Sequence, residues 1–268
     1  MAAGIEHEKG SNVPKTKVYL DKFAGYVVIV TEAAAGIGEA TSPIFAQQRA
    51  QVILFEVDKP KLKDFKASIQ QAGGKVDSRP CDISNDEDIC QAVAGTTQTY
   101  KKIDALVNLA GIYPYHYLFD YPIDVYRRVI SVNLDGAFFL TQAVIPHMPK
   151  AGYGRITHTS PFTYGEPEPG LVSYVASKAG IIGLVRATAT EAGPGVTINA
   201  VMPSLIDTAH VRANDGSQNL FERVIPKQTV KRKGHPLDVA HTACFIASPE
   251  ASFFSSQVFD CSGGETFH

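Results

Sequence analysis

Features that define several other classes of protein are missing from this sequence of 268 residues. Its 25 Lys and Arg residues balance 27 Asp and Glu residues, so no excess of positive charge indicates a nucleic-acid or anionic-membrane partner. The four cysteines show no Cys-x-x-Cys spacing, and a chain of this length needs no disulfides. No run approaches the roughly 18 consecutive apolar residues of a membrane helix, and the first residues do not resemble a signal peptide. We therefore expect a cytoplasmic globular protein with reduced thiols.

Two catalytic arrangements are also absent from the sequence. The eight histidines show no metal-ligand spacing such as His-Glu-x-x-His, which predicts that no metal is bound. Gly-x-Ser-x-Gly does not occur, so nothing favours an α/β-hydrolase nucleophile.

What the sequence does contain is a regular alternation of short apolar runs and amphipathic stretches. The predicted strands are 26–30, 52–55, 105–107, 154–158, 196–200 and 256–259. The predicted helices lie near 37–48, 59–72, 85–100, 122–148, 173–192 and 236–248. This alternation predicts one Rossmann-like, doubly wound parallel sheet with helices on both faces. We expect residues 1–22 to form a flexible arm, residues 23–268 a single α/β domain, and residues 203–232 a long polar connection within it.

A turn of small residues follows the first predicted strand and reads Thr31-Glu32-Ala33-Ala34-Ala35-Gly36-Ile37-Gly38. In a doubly wound sheet, a dinucleotide pyrophosphate binds at this turn, on the N-terminus of the following helix. Gly36 and Gly38 would allow the backbone to approach the phosphates closely. Glu56, about 20 positions further on, ends the second predicted strand, where an acidic residue accepts hydrogen bonds from the adenosine ribose and repels a 2′-phosphate. The alternative for Glu56 is a solvated charge at the end of a strand.

At this turn the sequence resembles the short-chain dehydrogenase/reductase family, whose turn reads Thr-Gly-x-x-x-Gly-x-Gly. The resemblance extends over roughly residues 23–264 and includes Cys81-Asp82-Ile83, Asn108-Leu109-Ala110-Gly111 and the segment from Pro203 to Thr208. It implies a nicotinamide cofactor, and Glu56 favours NAD over NADP. The residues that the resemblance assigns to cofactor binding are Thr31, Gly36, Ile37, Gly38, Glu56, Asp82, Ile83, Asn108, Ala110, Gly111, Tyr174, Lys178, Pro203, Ile206 and Thr208.

The segment from Ser173 to Gly180 resembles the catalytic segment of that family. Tyr174 and Lys178 are four residues apart on a predicted helix, so their side chains share one face. The resemblance implies that Tyr174 is the general acid/base and that Lys178 lowers the pKa of its phenol and holds the nicotinamide ribose. Asn133 lies on the apolar stripe of its predicted helix, either as a satisfied core residue or, as the resemblance implies, in a proton relay to Lys178.

Four positions depart from the family pattern: Glu32 and Ser204 replace glycines, Leu109 replaces an asparagine, and Pro161 replaces the catalytic serine. Proline has no hydroxyl, and loss of one donor to a developing oxyanion costs about 3–4 kcal/mol. Ser160 is our candidate substitute, with Thr159 or Thr163 as alternatives.

Glu32 at a glycine position allows two arrangements. Either its side chain points into solvent, or its charge reduces the affinity for a nucleotide, because a carboxylate about 6 Å from a phosphate is repelled by about 3 kcal/mol at an effective dielectric constant near 20.

The predicted substrate side is aromatic, with Tyr113 and His116 after the fourth strand and Phe162 next to Pro161. Such a wall suits a hydrophobic or cyclic small molecule, although tyrosines in loops are also ordinary surface residues. We therefore expect an NAD(H)-dependent oxidoreductase that interconverts a secondary alcohol and a ketone. A non-redox cyclase or isomerase of a biosynthetic pathway on the same fold, or a catalytically impaired binding protein, are the alternatives. The resemblance further implies a homodimer or homotetramer.

Overall fold

Seven parallel strands form a single sheet in the computed structural model, which describes residues 21–148, 152–161, 167–213 and 217–266. The strands are β1 (Val27–Thr31), β2 (Gln51–Glu56), β3 (Lys75–Pro80), β4 (Ala105–Asn108), β5 (Gly154–Thr159), β6 (Val196–Pro203) and β7 (Val258–Cys261). Their order in the sheet is β3-β2-β1-β4-β5-β6-β7, so the chain winds outward from the centre in both directions. The predicted fold class is confirmed. Only residues 21 and 22 of the predicted arm lie within the described residues.

β3 is the strand that the hydrophobic pattern does not predict. Its sequence is polar, and only Val76 is buried. β3 pairs with β2 alone and lies at the edge of the sheet, where a strand needs little apolar surface. By contrast, every residue of β1 is buried, which explains its continuous apolar run.

The helices cover both faces of the sheet. They are α1 (Gly36–Gln47), α2 (Lys59–Gln71), α3 (Asp86–Tyr100), α4 (Ile123–Ile130), α5 (Gly136–Val144), α6 (Val172–Glu191), α7 (Ala209–Arg212), α8 (Ser217–Val224) and α9 (Pro236–Ile246). The short helices α7 and α8 lie in the stretch 203–232 that we predicted to be irregular. Their amphipathic pattern is too short to distinguish them from a polar loop by periodicity.

The predicted helix at 122–148 is one helical run with an irregular middle. A π-helical turn, Ser131–Asp135, joins α4 to α5, and the run ends in a 3₁₀ turn at Ile145–His147. By length and mean hydropathy (1.4) the run Ile123–His147 could cross a membrane, but core helices meet the same criterion. Val132 and Leu140 place this run in the core of the domain.

The core has a layer on each face of the sheet, because side chains alternate along the buried strands. Ile29 and Leu106 belong to one layer, and Val28 and Val107 to the other. β1 and β4 are adjacent, and the chain continues from β1 towards one edge of the sheet and from β4 towards the other edge. A crevice at their carboxyl ends is therefore the expected ligand site of this fold.

Candidate active site

The turn after β1 packs so closely that only glycine fits at one position. A Cβ atom on Gly38 would lie 2.1 Å from the carbonyl oxygen of Glu32. Gly36 has a φ of +51°, which favours glycine, and a Cβ there would lie 3.5 Å from Cγ2 of Thr208. Ile37 is the second residue of α1 and packs between the core layer that contains Val28 and a small separate cluster that contains Ile206. The turn therefore has the shape of a phosphate cradle, with Thr208 against it.

Glu32 extends from this turn across the crevice. Its φ of 49° lies in the left-handed region that favours glycine, as expected of a residue at a glycine position. Its Oε2 atom accepts a hydrogen bond from the backbone N–H of Gly111 at 3.2 Å, so the side chain does not point into solvent. Burial raises the pKa of Glu32 to about 7, and the neighbouring Glu56 carboxylate adds to the rise.

Thr31 and Asn108 hold the ends of β1 and β4 together. The Thr31 hydroxyl donates to Oδ1 of Asn108 at 2.7 Å and accepts from the backbone N–H groups of Leu109 (3.0 Å) and Ala110 (3.2 Å). Both predicted cofactor residues are almost fully buried. In this structure their side chains fix the loop that borders the crevice.

His158 continues this buried network and was not among the predicted site residues. Nδ2 of Asn108 lies 3.2 Å from Nδ1 of His158, and Nε2 of His158 lies 2.9 Å from the hydroxyl of Thr141. Because the Asn108 amide nitrogen donates, Nδ1 accepts and Nε2 carries the proton. Burial lowers the pKa of His158 to about 3, with the Lys178 charge contributing, so the ring is neutral. A lone histidine in a strand gives no sequence signal for such a role, and the polar sequence of β5 does not reveal that the strand is fully buried.

Glu56 lies beside the turn, as predicted, with a carboxylate held by backbone groups. It accepts from the N–H groups of Val57 (2.9 Å), Asp58 (3.2 Å) and Ala34 (3.3 Å) and is 8% exposed. The last contact ties the end of β2 to the turn after β1.

Asp82 and Ile83, the pair of residues assigned to the adenine, differ in their exposure. Asp82 accepts from the backbone and hydroxyl of Ser84 and pairs with Arg128 at 3.0 Å. Ile83 is 6% exposed and belongs to the core. Thus Asp82 is accessible at the rim, whereas the side chain of Ile83 supports the helical run behind it.

Tyr174 and Lys178 lie on α6 beside the loop after β4. Nζ of Lys178 lies 5.7 Å from the centroid of the Tyr174 ring and donates to the carbonyl oxygen of Thr159 at 3.0 Å. Burial lowers the pKa of Lys178 to about 8, opposed by the charge of Glu32. The pKa of Tyr174 is raised, first by burial and then by Tyr113 and Glu32. The expected lowering of the phenol pKa is therefore not found, because burial dominates and the ammonium is directed to Thr159.

Asn133 connects the loop after β4 to α6. Its Oδ1 accepts from the N–H of Ile112 at 2.9 Å, and its Nδ2 donates to the Ile112 carbonyl and the Ser177 hydroxyl, each at 3.0 Å. A Cβ on Gly111 would lie 3.1 Å from Nζ of Lys178 and 3.4 Å from Oδ1 of Asn133. The side-chain amide of Asn133 has hydrogen-bond partners at both its oxygen and its nitrogen, as in a core asparagine. It also lies next to Lys178, where a proton relay to that lysine would need it.

The structure gives the hydroxyl of Ser160, our candidate oxyanion donor, a backbone partner. Its hydroxyl donates to the carbonyl oxygen of Lys178 at 2.7 Å, and the residue is fully buried. Ser160 therefore supports α6 and does not offer a donor to a substrate. Pro161 follows β5 and is partly exposed, whereas Phe162 and Thr163 lie outside the described residues.

Among the described residues, an aromatic contact brings the predicted substrate residue Tyr113 close to Tyr174. The ring of Tyr113 lies 5.6 Å from that of Tyr174 and 4.9 Å from that of His210, which we did not predict. His116 instead packs on Tyr121 at 5.4 Å, and the Tyr121 hydroxyl contacts Ser173. His116 is thus linked to the start of α6 and is not brought to Tyr174 by these contacts.

The segment after β6 completes the cofactor side. Pro203 is the last residue of β6 and is buried, and Ile206 is 5% exposed in a small core cluster with a bridge to Gly234. Ser204, at a glycine position of the family, contacts Glu265 through its hydroxyl. Within the described ranges no group of three or more His, Cys, Asp or Glu side chains could hold a metal ion.

The chain is similar to known proteins over most of its length. A family model described as enoyl-(acyl carrier protein) reductase matches residues 33–266. The chain is 35% identical over 244 residues to a 3-oxoacyl-[acyl-carrier-protein] reductase of Thermotoga maritima, covering 91% of this chain and 98% of the relative. It is 30% identical to a 7alpha-hydroxysteroid dehydrogenase of Escherichia coli, covering 90% and 94%. The crystal structure of a 3-oxoacyl-[acyl-carrier protein] reductase from Brucella melitensis superimposes with a TM-score of 0.86 at 29% identity, covering 96% and 98%.

These matches show that the chain belongs to the short-chain dehydrogenase/reductase family, as its motifs predicted. They also support its assignment as an oxidoreductase of CH–OH groups that belongs to a family using NAD or NADP.

Proposed function

We propose that this protein is an NAD(H)-dependent oxidoreductase that interconverts a secondary alcohol and a ketone on a hydrophobic or cyclic small molecule. The observation that carries the proposal is the position of Tyr174 and Lys178. Both lie on α6 at the crevice beside Gly111, where the doubly wound sheet is expected to bind a dinucleotide.

The residues around the crevice fit a nicotinamide dinucleotide in most respects. The Gly36–Gly38 turn leaves room for a pyrophosphate at the N-terminus of α1, and Lys178 lies at the far side of the crevice. Glu56 beside the turn favours NAD over NADP, because a carboxylate repels a 2′-phosphate. Glu32 is the one residue that must move or be neutralised to admit the pyrophosphate.

In the proposed reaction, the bound nicotinamide supplies or accepts the hydride. Tyr174 holds a proton on its phenol oxygen, and its raised pKa keeps the phenol protonated at neutral pH, ready to donate to a carbonyl oxygen. Lys178 is cationic below a pH of about 8 and would hold the nicotinamide ribose, as the family resemblance implies. Asn133 keeps the loop after β4 in register with α6.

The aromatic contacts support a hydrophobic or cyclic substrate. Tyr113 and His210 form an edge-to-face pair next to Tyr174. The relative from Escherichia coli is a steroid dehydrogenase by name, so a polycyclic substrate is compatible with this scaffold.

Assembly and location are part of the same proposal. Phe245, Phe254 and Phe259 form an aromatic cluster at α9 and β7, and two of the three are more than a third exposed. Such a patch suits a homodimer or homotetramer. Cys81, Cys90, Cys244 and Cys261 are free, in keeping with a reducing compartment such as the cytoplasm.

Two departures favour a second candidate, a non-redox cyclase or isomerase on this fold. Glu32 spans the crevice that the dinucleotide would occupy, and Pro161 replaces an oxyanion donor. A protein that no longer transfers hydride would need neither the family glycine that Glu32 replaces nor the family serine that Pro161 replaces.

The test is calorimetric titration of the purified protein with NAD⁺, NADH, NADP⁺ and NADPH, followed by assays of NADH oxidation with 3-oxoacyl thioesters and cyclic ketones. Micromolar binding of NAD(H), tighter than that of NADP(H), together with turnover would establish the oxidoreductase. Absence of binding to all four nucleotides would contradict it and favour the non-redox candidate.

A further inference from the structure

We propose that Glu32 makes nucleotide binding proton-linked, so that NAD(H) enters the crevice with the uptake of one proton by the Glu32 carboxylate. The inference rests on the proposed function, because it concerns how the same crevice accepts a dinucleotide. It assigns a role in nucleotide binding and specificity to the side chain at position 32, where the family pattern has a glycine.

The first step of the argument is the position of the side chain. Glu32 directly follows β1, and Gly111 lies three residues beyond the end of β4. The hydrogen bond from the Gly111 N–H to Oε2 of Glu32 at 3.2 Å therefore joins the two edges of the crevice at the reversal of strand order. A dinucleotide in this type of fold lies across that point. It cannot do so while the bridge occupies the same space, so binding must displace the carboxylate.

The second step concerns the charges that face Glu32. Glu56 from β2 disfavours its negative charge, and Lys178 from α6 favours it. Tyr113 and Tyr174, also beside the crevice, are raised in pKa in part by the charge of Glu32. Because the pKa of Glu32 is about 7, both of its forms are populated near neutral pH in the free protein.

The third step is the effect of the ligand. Displacement removes the Gly111 N–H bond, which is one of the contacts that favour the charged carboxylate. A pyrophosphate adds two negative charges beside a group that is already next to Glu56. The proposal requires the displaced carboxylate to stay covered by the bound nucleotide, so that burial, the largest cause of its raised pKa, is kept. Both changes then favour the protonated acid in the complex, and a proton passes from the buffer to a carboxylate oxygen of Glu32. Linkage then requires the affinity to fall as pH rises above about 7.

The experiment is calorimetric titration with NADH at pH 6, 7 and 8, each in two buffers of different ionisation enthalpy, on the wild-type protein and Glu32→Gln. Glutamine keeps the size of the side chain and cannot titrate. We expect proton uptake by the wild type to approach about one per nucleotide at pH 8 and to be reduced by that amount in Glu32→Gln. The affinity of the wild type should fall about fivefold from pH 7 to pH 8 relative to the variant, because the protonated fraction of a group with a pKa of about 7 falls by that factor.

Two controls isolate the contribution of Glu32. Lys178 has a lowered pKa of about 8 that the Glu32 charge partly raises, so its own proton uptake differs between the two proteins at pH 8. At pH 7, where Lys178 is mostly cationic, the difference between the proteins reports Glu32 with the smallest contribution from Lys178. Glu39→Gln removes a carboxylate from the exposed first turn of α1, and it should keep the proton uptake of the wild type.

The outcomes separate this inference from the proposed function. If the wild type binds NADH with the same proton uptake and pH dependence as Glu32→Gln, the inference is wrong and the oxidoreductase proposal stands. If the wild type, Glu32→Gln and Glu32→Gly all fail to bind any of the four nucleotides, the proposed function fails and the inference fails with it.

Discussion

The hydroxyl of Ser160 donates a hydrogen bond to the main-chain carbonyl oxygen of Lys178 at 2.7 Å, while the ammonium of Lys178 donates to the carbonyl oxygen of Thr159 at 3.0 Å. These two reciprocal contacts fasten α6 to the end of β5. They explain how the lysine is held beside the crevice, and they leave Ser160 without a free donor for a substrate.

Replacing Ser160 with alanine should therefore affect stability more than chemistry. Loss of this buried hydrogen bond should lower the free energy of unfolding by about 1 kcal/mol, because the Lys178 carbonyl lies inside α6 and keeps its place in the helical hydrogen-bond ladder. Urea unfolding measures this loss, and kcat of the folded variant should stay within about threefold of the wild type. A loss of kcat of about a hundredfold at unchanged stability would instead make Ser160 the oxyanion donor.

Pro161→Ser should increase the rate of ketone reduction. It restores a hydroxyl at the position where the family pattern has its catalytic serine, and one oxyanion donor contributes about 10²–10³ in rate. Pro161→Ala is the matched control, since it also frees the backbone but adds no hydroxyl. Equal kcat values for the two variants would show that another group already supplies the donor.

Tyr174→Phe should abolish turnover and leave nucleotide binding intact. General acid/base catalysis contributes about 10²–10⁴ in rate, and the substitution removes only the phenol oxygen. Tyr100→Phe, at the distant end of α3, controls for loss of a tyrosine hydroxyl in general. Steady-state kinetics and NADH titration measure the two effects separately. Turnover that survives in Tyr174→Phe would remove this residue from the mechanism.

Local sequence pattern was sufficient for most of the sheet and for the pair on α6. β1 is buried along its whole length, so its apolar run was visible, and the spacing of Tyr174 and Lys178 fixes a common helix face. β3 was not predicted, because a strand at the edge of a sheet needs no apolar pattern.

The remaining features of the site depend on contacts between distant parts of the chain. The direction of Glu32 is set by a positive φ and by Gly111, which is 79 residues away in sequence. The role of Ser160 depends on α6, and that of His158 on a network through Asn108. No spacing rule reports such long-range partners, so the sequence left the direction of Glu32 open and did not indicate that the Ser160 hydroxyl bonds to α6.

Glu56→Ser should shift nucleotide preference from NAD(H) towards NADP(H). Removing the carboxylate beside the turn removes the repulsion of a 2′-phosphate and a hydrogen-bond acceptor for the ribose, so the ratio of the two affinities should fall at least about tenfold. Asp58→Ser is the matched control, because serine can replace aspartate as the N-cap of α2. Titrations with NADH and NADPH give the ratio. An unchanged ratio in Glu56→Ser would mean that the carboxylate serves only its contacts to Val57, Asp58 and Ala34.

Relative to Glu32→Gln, the nucleotide-free wild-type protein should lose stability as pH rises from about 4.5 to 7. The buried His158, whose lowered pKa acts in the opposite direction, is common to both proteins. Burial raises the pKa of Glu32 from 4.5 to about 7, so the folded state binds more protons than the unfolded state within this range. The contribution of the neutral acid is fully present below pH 4.5 and is lost as pH rises through 7. Glu32→Gln has no carboxylate to ionise at this position, so it keeps its stability as pH rises. Its free energy of unfolding should exceed that of the wild type by about 2 kcal/mol at pH 7.5, while the two values should be similar near pH 4.5. Urea unfolding of both proteins at half-unit steps of pH, ending at 7.5 so that Lys178 contributes little, measures the difference. A gap that is constant across the range would show that the Glu32 carboxylate is charged in the folded protein throughout.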